Sequence, residues 1–177
     1  YMVYSVTNHG GAMHPTEDTE DIDGTYKVES VNLPVRFVPE FALETDAGRK
    51  TYSDRLIPVA LAPIGRREDP NRKFHTSVSI SEKEIEVGQT VWGVAMWDKI
   101  DPKTDRFIVS VKGLTNAYRW IDEPGVYKMG DPVGTGRRLE RKTLRLNFWR
   151  PGDEYYEHEE EIRYGFPGEV DYEWVYR

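Results

Sequence analysis

The chain predicts an all-β protein: an antiparallel β-sandwich with one short helix and a long C-terminal β-hairpin. Three observations carry that expectation. Period-two alternation recurs in short stretches, as in Arg106 to Lys112, where Phe107, Val109 and Val111 fall on one side. The 15 Gly and 11 Pro are spread along the whole length and punctuate those stretches. Only one segment, with Leu56, Val59, Ala60 and Ile64, has helical spacing.

Tyr1 to Thr7 reads as the first strand, with Met2, Tyr4 and Val6 on one face, and Asn8-His9-Gly10-Gly11 ends it. An acidic, polar stretch through Asp23-Gly24 reads as a long surface loop, and Tyr26 to Val31 alternates again. Val35 to Thr45 is extended but interrupted by Pro39, which suits an edge or a bulge because proline has no N–H for a ladder. Asp46-Ala47-Gly48 signals a turn from which Arg49 to Tyr52 returns. Ser53-Asp54 is the expected helix cap, Pro58 suits the first turn, and Pro63 limits the length. Arg66 to Lys73 reads as a charged loop and Phe74 to Ser81 as an alternating strand. Val91 to Trp97 has so few polar residues that both its faces should be covered. After Arg106 to Lys112, Gly113 to Gly136 reads as a long ordered crossing. Thr143 to Trp149, Tyr155 to Tyr164 and a last stripe of Val170, Tyr172, Trp174 and Tyr176 complete the chain, with Trp92 and Trp174 as core.

Residues 137 to 161 hold two opposite charge blocks. Arg137, Arg138, Arg141, Lys142, Arg145 and Arg150 precede Asp153, Glu154, Glu157, Glu159, Glu160 and Glu161, with Pro151-Gly152 between them. That layout suggests a self-complementary hairpin. A three-residue loop over Pro151-Gly152-Asp153 would set Arg145 opposite Glu159 and Thr143 opposite Glu161, and keep Leu146 and Phe148 beside His158 and Tyr156. Each good cross-strand pair contributes about 0.2–1 kcal/mol, so this register is expected over the two-residue one. The charges left over, Arg137, Arg138 and Arg141 before the pairing and Glu154 and Glu157 near the turn, are the candidate partner-binding residues.

At 177 residues the chain is long enough for one real core, since chains of this size bury roughly 70% of their unfolded surface. Residues 1–177 are expected to be a single sandwich domain: 1–112 its core, 113–177 a crossing loop and C-terminal strands packed on it. The net charge of −7 argues against nucleic acid and anionic membrane surfaces, which call for an excess of Lys and Arg. No apolar run approaches the roughly 20 residues of a membrane span, so no direct membrane insertion is expected. With no Cys, disulfides and thiolate chemistry are absent. A chain that opens directly on a strand reads as a fragment of a longer one, its signal peptide not included.

Chemistry-bearing patterns are sparse. His9 and His14 stand near Asp21 and Asp23 and are candidate metal ligands, but Thr19 to Ser30 departs from a calcium loop at its first and last positions, so a solvated acidic loop explains them more simply. No HExxH or GxSxG motif is present. His75, Ser77 and Ser79 read as strand-face residues, and the glycines and arginines of Gly130 to Arg138 lack a phosphate-loop lysine. Trp97, Trp120 and Trp149 are the candidate platforms for stacking on sugars. No catalytic residue and no cofactor are expected.

Three segments together resemble the telokin-like, Ig-like sandwich domain of exported bacterial proteins of the DUF4352 type. They are Val3-Tyr4-Ser5-Val6-Thr7-Asn8, the segment Val38 to Gly48 followed by Tyr52, and Glu86-Val87-Gly88-Gln89-Thr90-Val91-Trp92-Gly93-Val94-Ala95, where Val87 replaces that family's Pro. The resemblance covers residues 1–112. It implies an Ig-like fold, an extracytoplasmic location at the periplasm or cell surface, and no catalytic residues. The expected function is therefore a non-catalytic interaction or structural module, working with a protein partner or inside a larger assembly. A carbohydrate-binding module is the alternative, and a metal-dependent enzyme comes third.

Overall fold

The computed structural model describes residues 1–12, 30–31, 33–46, 49–123, 129–130, 136–152 and 162–177. Strands dominate at 43% against 13% helix, mainly in antiparallel sheets, so the all-β, sandwich-like class holds. In chain order the elements are β1 (Met2–Thr7), β2 (Gly11–Ala12), β3 (Ser30–Val31), β4 (Glu40–Thr45), β5 (Thr51–Ser53), α1 (Pro58–Glu68), β6 (Phe74–Thr76), α2 (Ser77–Ser81), β7 (Thr90–Ala95), β8 (Arg106–Lys112), β9 (Tyr118–Asp122), β10 (Arg137–Trp149), β11 (Arg163–Tyr164) and β12 (Tyr172–Tyr176). The chain divides into two compact units interleaved in sequence. One joins Met2–Phe37 to Ile57–Val94; the other joins Val38–Leu56 to Ala95–Arg177, with Tyr1. β2 and β3 form a two-residue antiparallel pair.

The first unit holds a three-stranded sheet in the order β1-β7-β6. β6 runs parallel to β7, with His75 beside Gly93. Phe37, Ile64, Phe74, Ile80, Ile85, Val91 and Val94 form its core. Asn8, buried at the end of β1, ties the loops together. Its Nδ2 donates to the Ile85 and Leu33 carbonyls at 2.9 and 3.2 Å, its N–H donates to Gln89 O at 3.1 Å, and its carbonyl accepts from Gly88 N at 2.7 Å. The helix α1 forms with Pro58 in its first turn and Pro63 inside it, so Pro63 does not end it at the expected point. Its N-cap is Ile57, which makes no side-chain bond. Asp54, expected as the cap, belongs with Met96 to the second unit, where it accepts from the Met96 N–H at 2.8 Å. The expected strand from Phe74 to Ser81 breaks after three residues. Thr76 and Ser79 make a reciprocal capping box that starts α2, so the described residues carry two helices where one was expected. Thr76 and Ser79, three residues apart, fall on opposite sides of the alternation that imitates a strand.

The second unit is built on a seven-stranded antiparallel sheet whose longest strand is β10. β5 returns antiparallel on β4, β4 pairs with β8, and β8 pairs with β10. Phe41, Leu43, Phe107, Val109 and Val111 alternate inward and are buried as their spacing predicts. Each edge of β10 is met by an interrupted strand. On one edge Leu144 faces Val111 and Arg141 faces Tyr118. Three steps along β10 thus match seven along the other chain, and four residues bulge out between β8 and β9. Gly113 permits the break: its φ is +96°, and an added Cβ would lie 2.2 Å from the Val38 carbonyl oxygen. On the other edge Phe148 faces Tyr164 and Leu146 faces Tyr172, so six residues loop out between β11 and β12. There Gly165 (φ +77°) donates its N–H to Asn147 O at 2.8 Å.

β10 and β11 pair antiparallel as consecutive C-terminal strands, with Phe148 opposite Tyr164, but the register differs from the expected one. Arg145 lies between Ser110 of β8 and Glu173 of β12, and Thr143 faces Val175, so neither pairs with the acidic block. Residues 153–161, including Glu159 and Glu161, lie outside the described residues. Arg137, Arg138 and Arg145 find carboxylates in other segments, at Asp122, Glu123 and Glu173. The expected crossing at 113–136 also contains a strand, β9, which pairs with Arg137 to Arg141.

Candidate interaction surface

Period-two geometry sorts the second unit's sheet into two faces. Lys142, Leu144, Leu146 and Phe148 of β10 share one face with Phe107, Val109 and Val111 of β8. The same register brings Tyr172, Trp174 and Tyr176 of β12, and Tyr164 of β11, onto that face. The apolar face is therefore continuous from β4 to the C-terminal edge, but its burial is not. Phe107 and Val109 are each 3% exposed, whereas Tyr164, Tyr172 and Trp174 are 52%, 57% and 43% exposed. Trp174 is thus surface and not core. β12 has no second strand partner among the described residues.

The rings are held in place. Phe148 meets Tyr164 with centroids 5.4 Å apart. Lys142 Nζ lies 5.2 Å from the Trp174 ring centroid, and the Arg119 guanidinium lies 4.7 Å from that of Tyr176. Desolvation, then Asp171 and Tyr172, push the Tyr164 phenol above its ordinary pKa. The surface is thus a run of amphipathic rings with polar tips and flanking cations.

The charges are largely neutralised from within. Arg137 pairs with Asp122 at 3.2 Å and Arg138 with Glu123 at 2.9 Å. Glu140, buried inside the basic block, takes Arg119 and Arg138 at 2.9 Å each. Arg145 pairs with Glu173 at 2.7 Å. Of the candidate partner-binding residues, Arg137 and Arg138 are therefore already engaged. Arg141 is exposed, with its side chain in no ion pair among the described residues. Glu154 and Glu157 lie outside the described residues.

The other candidates are scattered. His9 is exposed, His14, Asp21 and Asp23 lie outside the described residues, and no group of three His, Asp or Glu gathers among those described. Trp97 is half-buried, with its indole N–H enclosed. Trp149 is half-buried against Phe166 at 5.9 Å, with Arg163 over its ring. Trp120 is exposed and meets Tyr118 edge-on at an interplanar angle of 84°. His75 is buried, with Nδ1 3.3 Å from Ser79 Oγ. No helix among the described residues is long and apolar enough to cross a membrane.

Comparison with known proteins yields no match to any family model, curated protein or solved structure. The class that the fold defines is thus a β-rich, sandwich-like protein. The residues of the exposed edge were missed in the sequence because alternation reports a face without reporting what covers it. The available signal was their type: Tyr172, Trp174 and Tyr176 all carry polar tips, unlike Phe107, Val109 and Val111.

Proposed function

We propose that this chain is a non-catalytic interaction or structural module that docks a protein partner along its C-terminal sheet edge, as a subunit of a larger assembly. The observation that carries this reading is the exposure of Tyr172 and Trp174 on the apolar face of a strand with no second strand partner among the described residues. Open edges recruit strands, and Tyr and Trp supply most of the anchoring at protein interfaces. The test is native purification followed by mass spectrometry of what accompanies the chain. A stoichiometric protein partner that is lost on Tyr172→Ser/Trp174→Ser, with unchanged circular dichroism, supports the reading. A bare monomer from native extracts overturns it.

Carbohydrate binding is the second reading, and the exposed Tyr118–Trp120 pair favours it. Their edge-on geometry offers no coplanar platform, which is why the protein-partner reading comes first. Titration with oligosaccharides, followed by Trp120 fluorescence, separates the two.

The Ig-like, extracytoplasmic character implied by the resemblance to DUF4352-type domains belongs to the same proposal. Supporting it, two of the quoted segments meet: Asn8 of the first bonds Gly88 and Gln89 of the third. Cell fractionation that finds the protein in the cytoplasm would sink this part.

A further inference from the structure

The helix-bearing unit contains an open cleft of about 490 Å³ whose charged lining groups are mostly basic. Arg72, Lys73 and Lys83 line it with His75 and Trp92, against the single carboxylate of Asp69. Three cations to one anion is the reverse of the chain as a whole, with its net charge of −7. We propose that this cleft is an anion-binding site for a phosphate- or sulfate-type oxyanion, separate from the C-terminal edge.

The turn from β6 into α2 creates the cluster. It brings Lys73, just before β6, and Lys83, just after α2, into one cleft with His75. Neither lysine has an ion-pair partner among the described residues. Arg72 is fixed: its guanidinium lies 3.9 Å from the Trp92 centroid, and Asp69 holds it at 3.1 Å. Gln89 spends its Oε1 on the Glu86 N–H at 2.9 Å, which leaves its amide NH₂ to donate. His75 is 8% exposed. Burial first, then Lys83 and Lys73, hold its pKa below the ordinary value. The imidazole thus lies in a cleft with two ammonium groups that have no ion-pair partner among the described residues. Like charges gathered in one cleft are compensated when an anion enters. Lysine binds phosphate as a point charge, while the stacked arginine adds a planar fork of donors.

The test is titration of the whole chain with inorganic phosphate, sulfate and methyl phosphate, at ionic strength held constant with sodium chloride and with acetate as a monovalent control. Nuclear magnetic resonance follows the Trp92 indole and His75 ring signals. Both should move on one saturable isotherm with phosphate or sulfate and stay put with acetate. Lys73→Gln/Lys83→Gln should weaken binding tenfold or more without altering the thermal midpoint by more than a few degrees. Arg66→Gln/Arg67→Gln, on the same unit's helix, should leave it within twofold. Tighter binding of methyl phosphate than of phosphate assigns an ester ligand, and the reverse assigns the free ion; either supports the site. No saturable shift, the same shift with chloride alone, or unchanged affinity in the lysine variant overturns it.

Discussion

The two edges of β10 carry the same alternation and meet different ends. Toward β8 the apolar face is closed over Phe107, Val109 and Val111. Toward β11 and β12 it stays open, with Tyr164, Tyr172 and Trp174 in solvent. Each flank is also interrupted once, beside Gly113 on one side and Gly165 on the other. Similar patterning thus serves folding on one flank and leaves the other available for contact. What separates them is chemistry: aliphatic side chains and Phe need burial, whereas Tyr and Trp tolerate a wet boundary.

The largest expected difference between the flanks is in stability. Phe107→Ala should cost about 3–5 kcal/mol, the usual range for truncating a buried aromatic. Trp174→Ala should cost about 1 kcal/mol or less, because exposed positions away from the core usually shift stability little. Urea denaturation of both variants checks this, and equal losses would mean that the edge is part of the core.

The glycines give a finer contrast. Gly113→Ala adds left-handed strain and drives a methyl into the Val38 carbonyl, which is fixed backbone, so a loss of about 2–3 kcal/mol is expected. At Gly165 the added Cβ would meet Asp171 Oδ1 at 2.4 Å, a side-chain atom that can swing away, so about 1 kcal/mol is expected. Reversed order in thermal melts would place the tighter break on the open edge.

The smallest effect concerns charge. Glu173→Ala breaks an ion pair with Arg145 whose members are 44% and 25% exposed, so a loss below about 1 kcal/mol is expected. Glu140→Ala should cost more, because it strips Arg119 and Arg138 of a shared buried carboxylate. A double-mutant comparison of the two tells which carboxylate fixes the register of β10.

Legibility in the sequence followed the same division. β8 was readable from its period-two alternation, and the antiparallel return of β5 on β4 from the turn residues that follow Thr45, of which Ala47 and Gly48 lie outside the described residues. Phe74 to Ser81 misled because its Ser and Thr also include a pair spaced by three, and Thr76 and Ser79 form a helix cap. The C-terminal charge blocks misled because proximity in sequence was taken for proximity in the sheet. Arg137, Arg138 and Arg145 instead found Asp122, Glu123 and Glu173, which no local pattern links to them. Glu140 inside the basic block was the clue that this block neutralises itself. The basic cleft around His75 was invisible because Lys73, Lys83 and Trp92 are joined only by the β6–α2 turn and the parallel β6–β7 pairing.

The open edge itself is most directly tested by hydroxyl-radical footprinting of Tyr172 and Trp174, comparing the natively extracted protein with the isolated chain. A docked edge predicts strong protection of both rings in the native particle and free oxidation in the isolated chain, while Tyr118 and Trp120 react alike in both. Equal oxidation of Tyr172 and Trp174 in the two samples would contradict the claim that this edge is an interface.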